Sequence, residues 1–184
     1  MLAARRLSLT RPLAFRCLAS PFHSSAPAQV QVGDRIPHIN LMEGSPGNKV
    51  NLAQELKKGK GLIIGVPAAF SPACSESHIP GYINSAKLKD AGSVFVVSVN
   101  DAFVMKAWGK ILDPSNTSGI RFLADPGLNF TNALDLSFDG SAIFGGHRGK
   151  RYALLVEDGF IKEAHVESDN TGLDVSAAGN VLGS

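Results

Sequence analysis

Leu62-Ile63-Ile64-Gly65-Val66-Pro67-Ala68-Ala69-Phe70-Ser71-Pro72-Ala73-Cys74 decides how the rest of the chain is read. The apolar run Leu62–Val66 has the length and branching of a buried strand. Ser71 is a good helix N-cap residue and Pro72 suits the first helical position, so a helix is expected from Pro72 onward. Cys74 then falls in the first helical turn, where unpaired N–H groups point forward and favour a thiolate over a thiol. A strand, a turn and a cysteine at a helix start make a nucleophile site. The alternative, a small buried hydrophobe, is the ordinary fate of a lone intracellular cysteine.

Working outward, the alternation of elements continues. Asn51 can cap a helix over Leu52–Lys58. The helix from Pro72 is expected to run to Ala91, with a break near Pro80-Gly81, and Gly92 ends it. Ser93–Val99 is a second buried strand. Asn100 or Asp101 caps a helix over Ala102–Lys110. Arg121–Ala124 is a short strand, and Asn129–Leu136 reads as helix. Ser141–Lys150 reads as a glycine-rich loop, without the helix start and Lys-Ser/Thr of a phosphate loop. Arg151–Glu157 and Phe160–Glu167 are strands joined by the hairpin turn Asp158-Gly159. Near the N-terminus Gly44–Asn48 reads as a turn, and Asp174–Leu182 as a final helix. Alternating strands and helices with a closing hairpin imply an α/β fold with a mixed central sheet, covered by helices on both faces. Trp108, Phe103 and Phe95 are expected in its core.

Composition bounds the function. The chain has 184 residues, 44% hydrophobic and 18% charged, enough for one globular domain. Its formal charge of +2 is unevenly placed. Arg5, Arg6, Arg11 and Arg16 precede the first acid, Asp34, and subtracting them leaves the remainder at −2. That remainder has no basic bias toward nucleic acid or a membrane surface. Residues 1–28 are rich in Arg, Ser, Ala and Leu and free of acids, the composition of a mitochondrial transit peptide. Residues 29–184 are then the folded domain, in the mitochondrial matrix after removal of the leader or, alternatively, in the cytoplasm. No run reaches the ~18 apolar residues of a membrane span.

Cys17 and Cys74 are the two cysteines. They form no Cys-x-x-Cys, which excludes a zinc finger and a disulfide framework and disfavours a dithiol transferase. The five histidines, 23, 38, 78, 147 and 165, show no metal-ligand spacing, so neither metal nor other cofactor is expected. A thiolate at Cys74 needs a cation. Arg148, Lys150 and Arg151 cluster at the start of a strand, and an arginine also donates to an oxygen substrate. His78, four residues beyond Cys74, invites a Cys–His dyad but lacks a third orienting group in sequence.

The stretch Pro67–Cys74 resembles the peroxiredoxin motif Pro-x-x-x-(Thr/Ser)-x-x-Cys. His78-Ile79-Pro80-Gly81-Tyr82, Ser98–Val104 with Trp108-Gly109, and Leu123-Ala124-Asp125-Pro126 are similar to the type II peroxiredoxins, the peroxiredoxin-5 group. The resemblance runs from about Val32 to the C-terminus. It implies a thioredoxin-like fold and a thiol-dependent peroxidase acting on hydrogen peroxide and organic (alkyl) hydroperoxides. By position it makes Cys74 the peroxidatic cysteine, Ser71 the active-site hydroxyl, Pro67 the shield of the thiolate and Arg151 the active-site arginine. It also implies a homodimer. Where some members carry a resolving cysteine after Thr-Gly-Leu, this chain has Thr171-Gly172-Leu173-Asp174-Val175, so an external thiol is expected to recycle Cys74: glutathione with glutaredoxin, or thioredoxin. The rival reading is a non-catalytic redox sensor or holdase-type binding module of the same fold.

Overall fold

The computed structural model describes residues 30–183; the leader assigned to residues 1–28, with Cys17, lies outside them. The central sheet has seven strands in the order β2-β1-β5-β4-β3-β8-β9. They are β1 (Asn40–Glu43), β2 (Ser45–Asn51), β3 (Lys60–Val66), β4 (Ser93–Ser98), β5 (Arg121–Ala124), β8 (Tyr152–Glu157) and β9 (Phe160–Val166). A separate ribbon pairs β6 (Ser137–Asp139) with β7 (His147–Gly149). β3, β4 and β5 run parallel, while β8 and β9 close one side antiparallel. The mixed sheet of the sequence reading is therefore present.

β3 is buried on both faces, which explains its unbroken apolar run. Leu62, Ile64 and Val66, with Val94 and Val96 of β4, face the cluster that holds Cys74, Tyr82 and Trp108. Ile63, Phe95, Val97 and Leu154 face a second cluster with Leu41, Leu52 and Phe130. One sheet thus separates two cores, and the sulfur belongs to the first.

Several expected boundaries move. α1 is only Leu52–Glu55, and Asn51 does not cap it; the Asn51 amide donates instead to the Asn40 side chain across the β1–β2 pair. Within the expected turn Gly44–Asn48, Ser45 pairs with Glu43, and Pro46–Asn48 form an irregularity before Lys49 pairs with Met42, so β2 begins inside it. The helix carrying Cys74, α2, opens at Pro72-Ala73 and continues as a π turn, Cys74–His78, followed by Ile79–Ile83. Pro80 does not break it. The Ile79 N–H reaches back five residues to the Cys74 carbonyl, and this wider turn takes up the geometry that a missing N–H would interrupt. The helix ends at Ile83, not Ala91. The Ser85 hydroxyl captures the Lys87 N–H, a local competitor of helical bonding, and a 3-10 turn follows at Leu88–Ala91.

α3 runs Ala102–Leu112, and its cap is Asp101, whose carboxylate accepts from the Phe103 and Val104 N–H groups. Phe103 is 63% exposed and lies outside the core, whereas Trp108 and Phe95 are enclosed. α4 (Asn129–Ala133) is shorter than expected, and α6 (Ala178–Val181) occupies only the end of the expected final helix. In the tail, residues 169–176 form a loop in which Ser176 is buried while Asp169, Asp174 and Val175 stay exposed. The presumed loop Ser141–Lys150 contains α5 (Ser141–Phe144) and β7. Its order is tertiary: the Arg148 guanidinium ties it to the carbonyls of Val99 and Phe144.

Gly65 shows how the sheet sets up the site. It pairs with Tyr152, and a methyl group at Gly65 would collide with the Tyr152 ring. This register places Arg151, the residue before β8, beside the end of β3. Gly65→Ala is expected to destabilise the fold by about 1–3 kcal/mol through overpacking, measured as a lower urea midpoint at unchanged slope.

Candidate active site

The turn between β3 and α2 is shaped from both sides. Phe70 has a φ of 64°, a left-handed conformation that folds the chain back toward Ala68. Both the Ser71 N–H (3.4 Å) and the Ser71 hydroxyl (3.0 Å) donate to the Ala68 carbonyl. The Ala69 N–H donates to the Asn100 side chain at 3.0 Å. Ser98 Oγ lies 2.8 Å from the same Asn100 oxygen and 3.2 Å from the Val66 carbonyl. The end of β4 therefore holds the turn that leaves β3. The Ser71 carbonyl accepts the Ser75 N–H at 3.0 Å, so the helix begins where the sequence placed it. The side-chain cap is different: the Ser71 hydroxyl spends its proton on Ala68, and its lone pairs remain available to accept from a bound molecule. Pro67 is buried at the exit of β3.

Cys74 has no exposed surface. Arg151, 2% exposed, points one Nη1 proton at its sulfur, 3.2 Å away. Of the three basic residues clustered in sequence, Arg151 is the one brought to the thiol; Arg148 holds backbone carbonyls. The other donors of Arg151 are also engaged. Nε donates to the Gly172 carbonyl at 2.7 Å and lies 3.2 Å from that of Thr171; Nη2 donates to Thr171 at 3.0 Å. Backbone carbonyls thus aim the guanidinium. A cation in direct contact favours ionised sulfur, and its remaining N–H can donate to an oxygen brought to the site.

His78 is not the base of a Cys–His dyad. Its Nδ1 lies 3.1 Å from Arg151 Nη1, and its Nε2 lies 3.1 Å from the Ser176 carbonyl. A carbonyl only accepts, so Nε2 carries the proton and Nδ1 accepts from the arginine. Burial, then the positive charge of Arg151, lowers the His78 pKa to about 3. His78 is a neutral acceptor that steadies the cation. The Tyr82 hydroxyl donates to the same Ser176 carbonyl at 2.7 Å. Glu167 Oε1 in turn accepts from Asp174 N, Ser176 N and Ser176 Oγ. Burial works against its ionisation, but these donors hold its carboxyl below the ordinary range. Beside Cys74, Ser75 Oγ accepts from Trp108 Nε1 at 3.0 Å, and the exposed Phe70 ring lies 6.5 Å from the indole.

Sequence reasoning did not identify Asn100, Glu167 or the carbonyls of Thr171, Gly172 and Ser176 as part of this arrangement. Asn100 gave a faint signal, as a polar residue just beyond a strand and preceding the Asp101 cap. The carbonyls gave none, since every residue carries one.

A protein-family model, the redoxin domain, matches residues 31–182. This chain belongs to the peroxiredoxins. Among peroxiredoxin relatives, it is 38% identical to peroxiredoxin-2B of Arabidopsis thaliana, covering 84% of this chain and 98% of the relative. It is also 42% identical to peroxisomal membrane associated protein 20 of Schizosaccharomyces pombe, over 84% of this chain and 99% of that protein. In structure it is similar to reduced Prx3 of Vibrio vulnificus in complex with hydrogen peroxide, with a TM-score of 0.76 and 36% identity, covering 84% and 98% of the two chains. Peroxiredoxin 5 from Alvinella pompejana gives 0.70 and 36%, covering 77% and 92%. A peroxiredoxin is a thiol-dependent peroxidase, and the thioredoxin-like fold expected from sequence is the one found.

The neutral His78 makes stability depend on pH. In the unfolded chain it takes up a proton near its ordinary value of 6.5; in the fold it does so only near 3. The unfolded state therefore binds more protons between these limits, and stability falls as pH drops below 6.5, at up to about 1.4 kcal/mol per pH unit. Urea unfolding at pH 6.5 and 5, above the carboxylate range, is expected to show this loss in the wild type and a smaller one in His78→Gln.

Proposed function

We propose that this peroxiredoxin reduces hydrogen peroxide and alkyl hydroperoxides through Cys74, with Arg151, Ser71 and Pro67 completing the site and an external thiol recycling it. The observation that carries this reading is the 3.2 Å contact from Arg151 Nη1 to Cys74 Sγ. The Cys74 thiolate attacks one peroxide oxygen in line with the O–O bond. The S–O bond forms as the O–O bond breaks. Sulfur is oxidised by two electrons, and the departing oxygen takes the proton of the attacked oxygen to leave as water or an alcohol, the sulfenate regaining a proton from solvent. Arg151 and the N–H groups at the helix start stabilise the charge that moves onto the leaving oxygen. Ser71 Oγ accepts a hydrogen bond from the peroxide, and Pro67 keeps water from the sulfur.

The product on the protein is a sulfenic acid. A first thiol condenses with it, releasing water and giving a mixed disulfide; a second thiol displaces Cys74 as a free thiol. Cys74 is the one free cysteine among the described residues, which supports an external donor, either glutathione with glutaredoxin or thioredoxin. We include a homodimer in this reading; the exposed side chains of Phe70 and Phe103 supply apolar surface for it. We place the protein in the mitochondrial matrix on the composition of residues 1–28; fusing them to a fluorescent protein tests this, and a diffuse cytoplasmic signal would contradict it.

Stopped-flow mixing of the reduced protein with peroxide tests the chemistry. Because Trp108 is bonded to the residue beside Cys74, oxidation is expected to change its fluorescence. Cys74→Ser should abolish the signal and the turnover. Arg151→Lys keeps the charge but loses the fork and should slow oxidation by roughly 100-fold; Ser71→Ala should slow it by roughly 10-fold. A wild-type rate no greater than that of free cysteine would favour a sensor or holdase instead. Incubating the oxidised protein with each reductant in turn is expected to restore the thiol with one pair and to leave it oxidised with the other.

A further inference from the structure

We propose that Glu167 is a positioning residue for the sulfur chemistry, acting on Cys74 through Ser176, His78 and Arg151. The proposal rests on the peroxidase reading above.

Glu167 follows β9 immediately and is 6% exposed. One of its carboxylate oxygens accepts three hydrogen bonds, from Asp174 N (2.8 Å), Ser176 N (2.9 Å) and Ser176 Oγ (2.7 Å). Such a concentration of donors on one oxygen suits an ionised acceptor. It turns the N–H side of residues 174–176 toward Glu167. The Ser176 carbonyl faces the opposite way, where it meets His78 Nε2 and the Tyr82 hydroxyl. The groups around this carbonyl are all donors: burial holds the Tyr82 hydroxyl in its protonated form, and His78 Nε2 must carry its hydrogen. Nδ1 is then left with a lone pair that only a donor can meet, and Arg151 Nη1 meets it. Nη1 has two hydrogens. With one committed to His78, the other lies toward Cys74 Sγ.

Each link in this chain admits one assignment of donor and acceptor. The carboxylate at one end only accepts and the guanidinium at the other only donates, so the polarity cannot reverse. The anchor matters because Ser176 lies in a segment with little regular structure of its own. Without Glu167 the Ser176 carbonyl has no reason to face His78, the imidazole can change tautomer, and an Nδ1–H would oppose the guanidinium. The Glu167 backbone N–H donates to the Arg151 carbonyl at 3.0 Å, but its carboxylate is bonded to neither the guanidinium nor Cys74, and no feature of the peroxide chemistry requires a carboxylate there.

The test uses the full chain in a Cys17→Ser background, so that Cys74 is its one thiol. Reduced wild type, E167A, E167Q, H78A and E167A/H78A are compared by alkylation with iodoacetamide from pH 4 to 10, by peroxide stopped-flow and by thermal unfolding. E167A is expected to move the midpoint of the alkylation profile up by about one pH unit and to slow peroxide oxidation about tenfold. E167Q keeps an acceptor and should recover part of the shift. The double variant should shift no further than H78A alone, because both substitutions cut one chain. A lower unfolding temperature in E167A with a wild-type alkylation profile would make Glu167 a purely structural residue and overturn the proposal, as would additive shifts in the double variant. If E167A does not fold, E167Q carries the test, and a profile identical to wild type overturns it. Since iodoacetamide is no peroxide, the two readings separate: a shifted alkylation profile beside a wild-type peroxide rate no faster than free cysteine would sink the peroxidase reading alone.

Discussion

A buried guanidinium lies against a buried sulfur, and the structure depends on that contact. Enclosing an arginine away from water is costly unless its charge is matched and its donors are filled. Here the compensation comes mostly from neutral acceptors. Carbonyls of Thr171 and Gly172 take Nε and Nη2, and His78 takes one hydrogen of Nη1. Among the described residues no carboxylate is hydrogen-bonded to the Arg151 guanidinium, so its positive charge is not cancelled at the point where the sulfur feels it. Glu167 meets Arg151 only through the main chain, its N–H donating to the Arg151 carbonyl, while its carboxylate is bonded to Ser176.

Two distant segments must meet for this contact to exist, and the sheet brings them together. Cys74 is reached from the end of β3, and Arg151 is the residue before β8. The antiparallel pairing of Gly65 with Tyr152 sets those two points side by side. The absence of a side chain at Gly65 makes room for the Tyr152 ring, so one glycine governs the alignment of the residue that follows β3 and the one that precedes β8. On the other flank, Asn100 ties the turn of Ala69 to the end of β4. The sulfur is thus located by three adjacent strands rather than by its own helix.

This division explains what could be read from sequence. β3, β4, β8 and β9 announce themselves because burial on both faces, or a tight Asp158-Gly159 turn, leaves a local pattern. Cys74 and Arg151 were visible as a helix-start thiol and a strand-start cation, and the family resemblance named both. The helix through Pro80 was misread because a proline signals an interruption, whereas the π turn Cys74–His78 absorbs it without one. Ser71 was read as a cap from its residue type, but the left-handed Phe70 turns its hydroxyl toward Ala68. His78 was weighed against Cys74 alone; its partner Arg151 is 73 residues away in sequence. The β6–β7 ribbon and the carbonyls around Arg151 are products of tertiary packing, and no residue type marks them.

The complete enclosure of Cys74 acts as a size filter between the two halves of the reaction. A peroxide is a few atoms across and asks for a far smaller opening than a thiol carried on a peptide. A thiol carried by a tripeptide or a protein cannot approach a sulfur with no exposed surface. Recycling by such a donor would require the oxidised residue to come outward, and the segment that would yield is the π turn containing it. Ser75 would release the Trp108 indole as it goes. Oxidant and reductant are then told apart by their dimensions and by the shape of the protein each one meets, and the reduced, closed form protects its thiolate from bulky electrophiles while it waits for a small one.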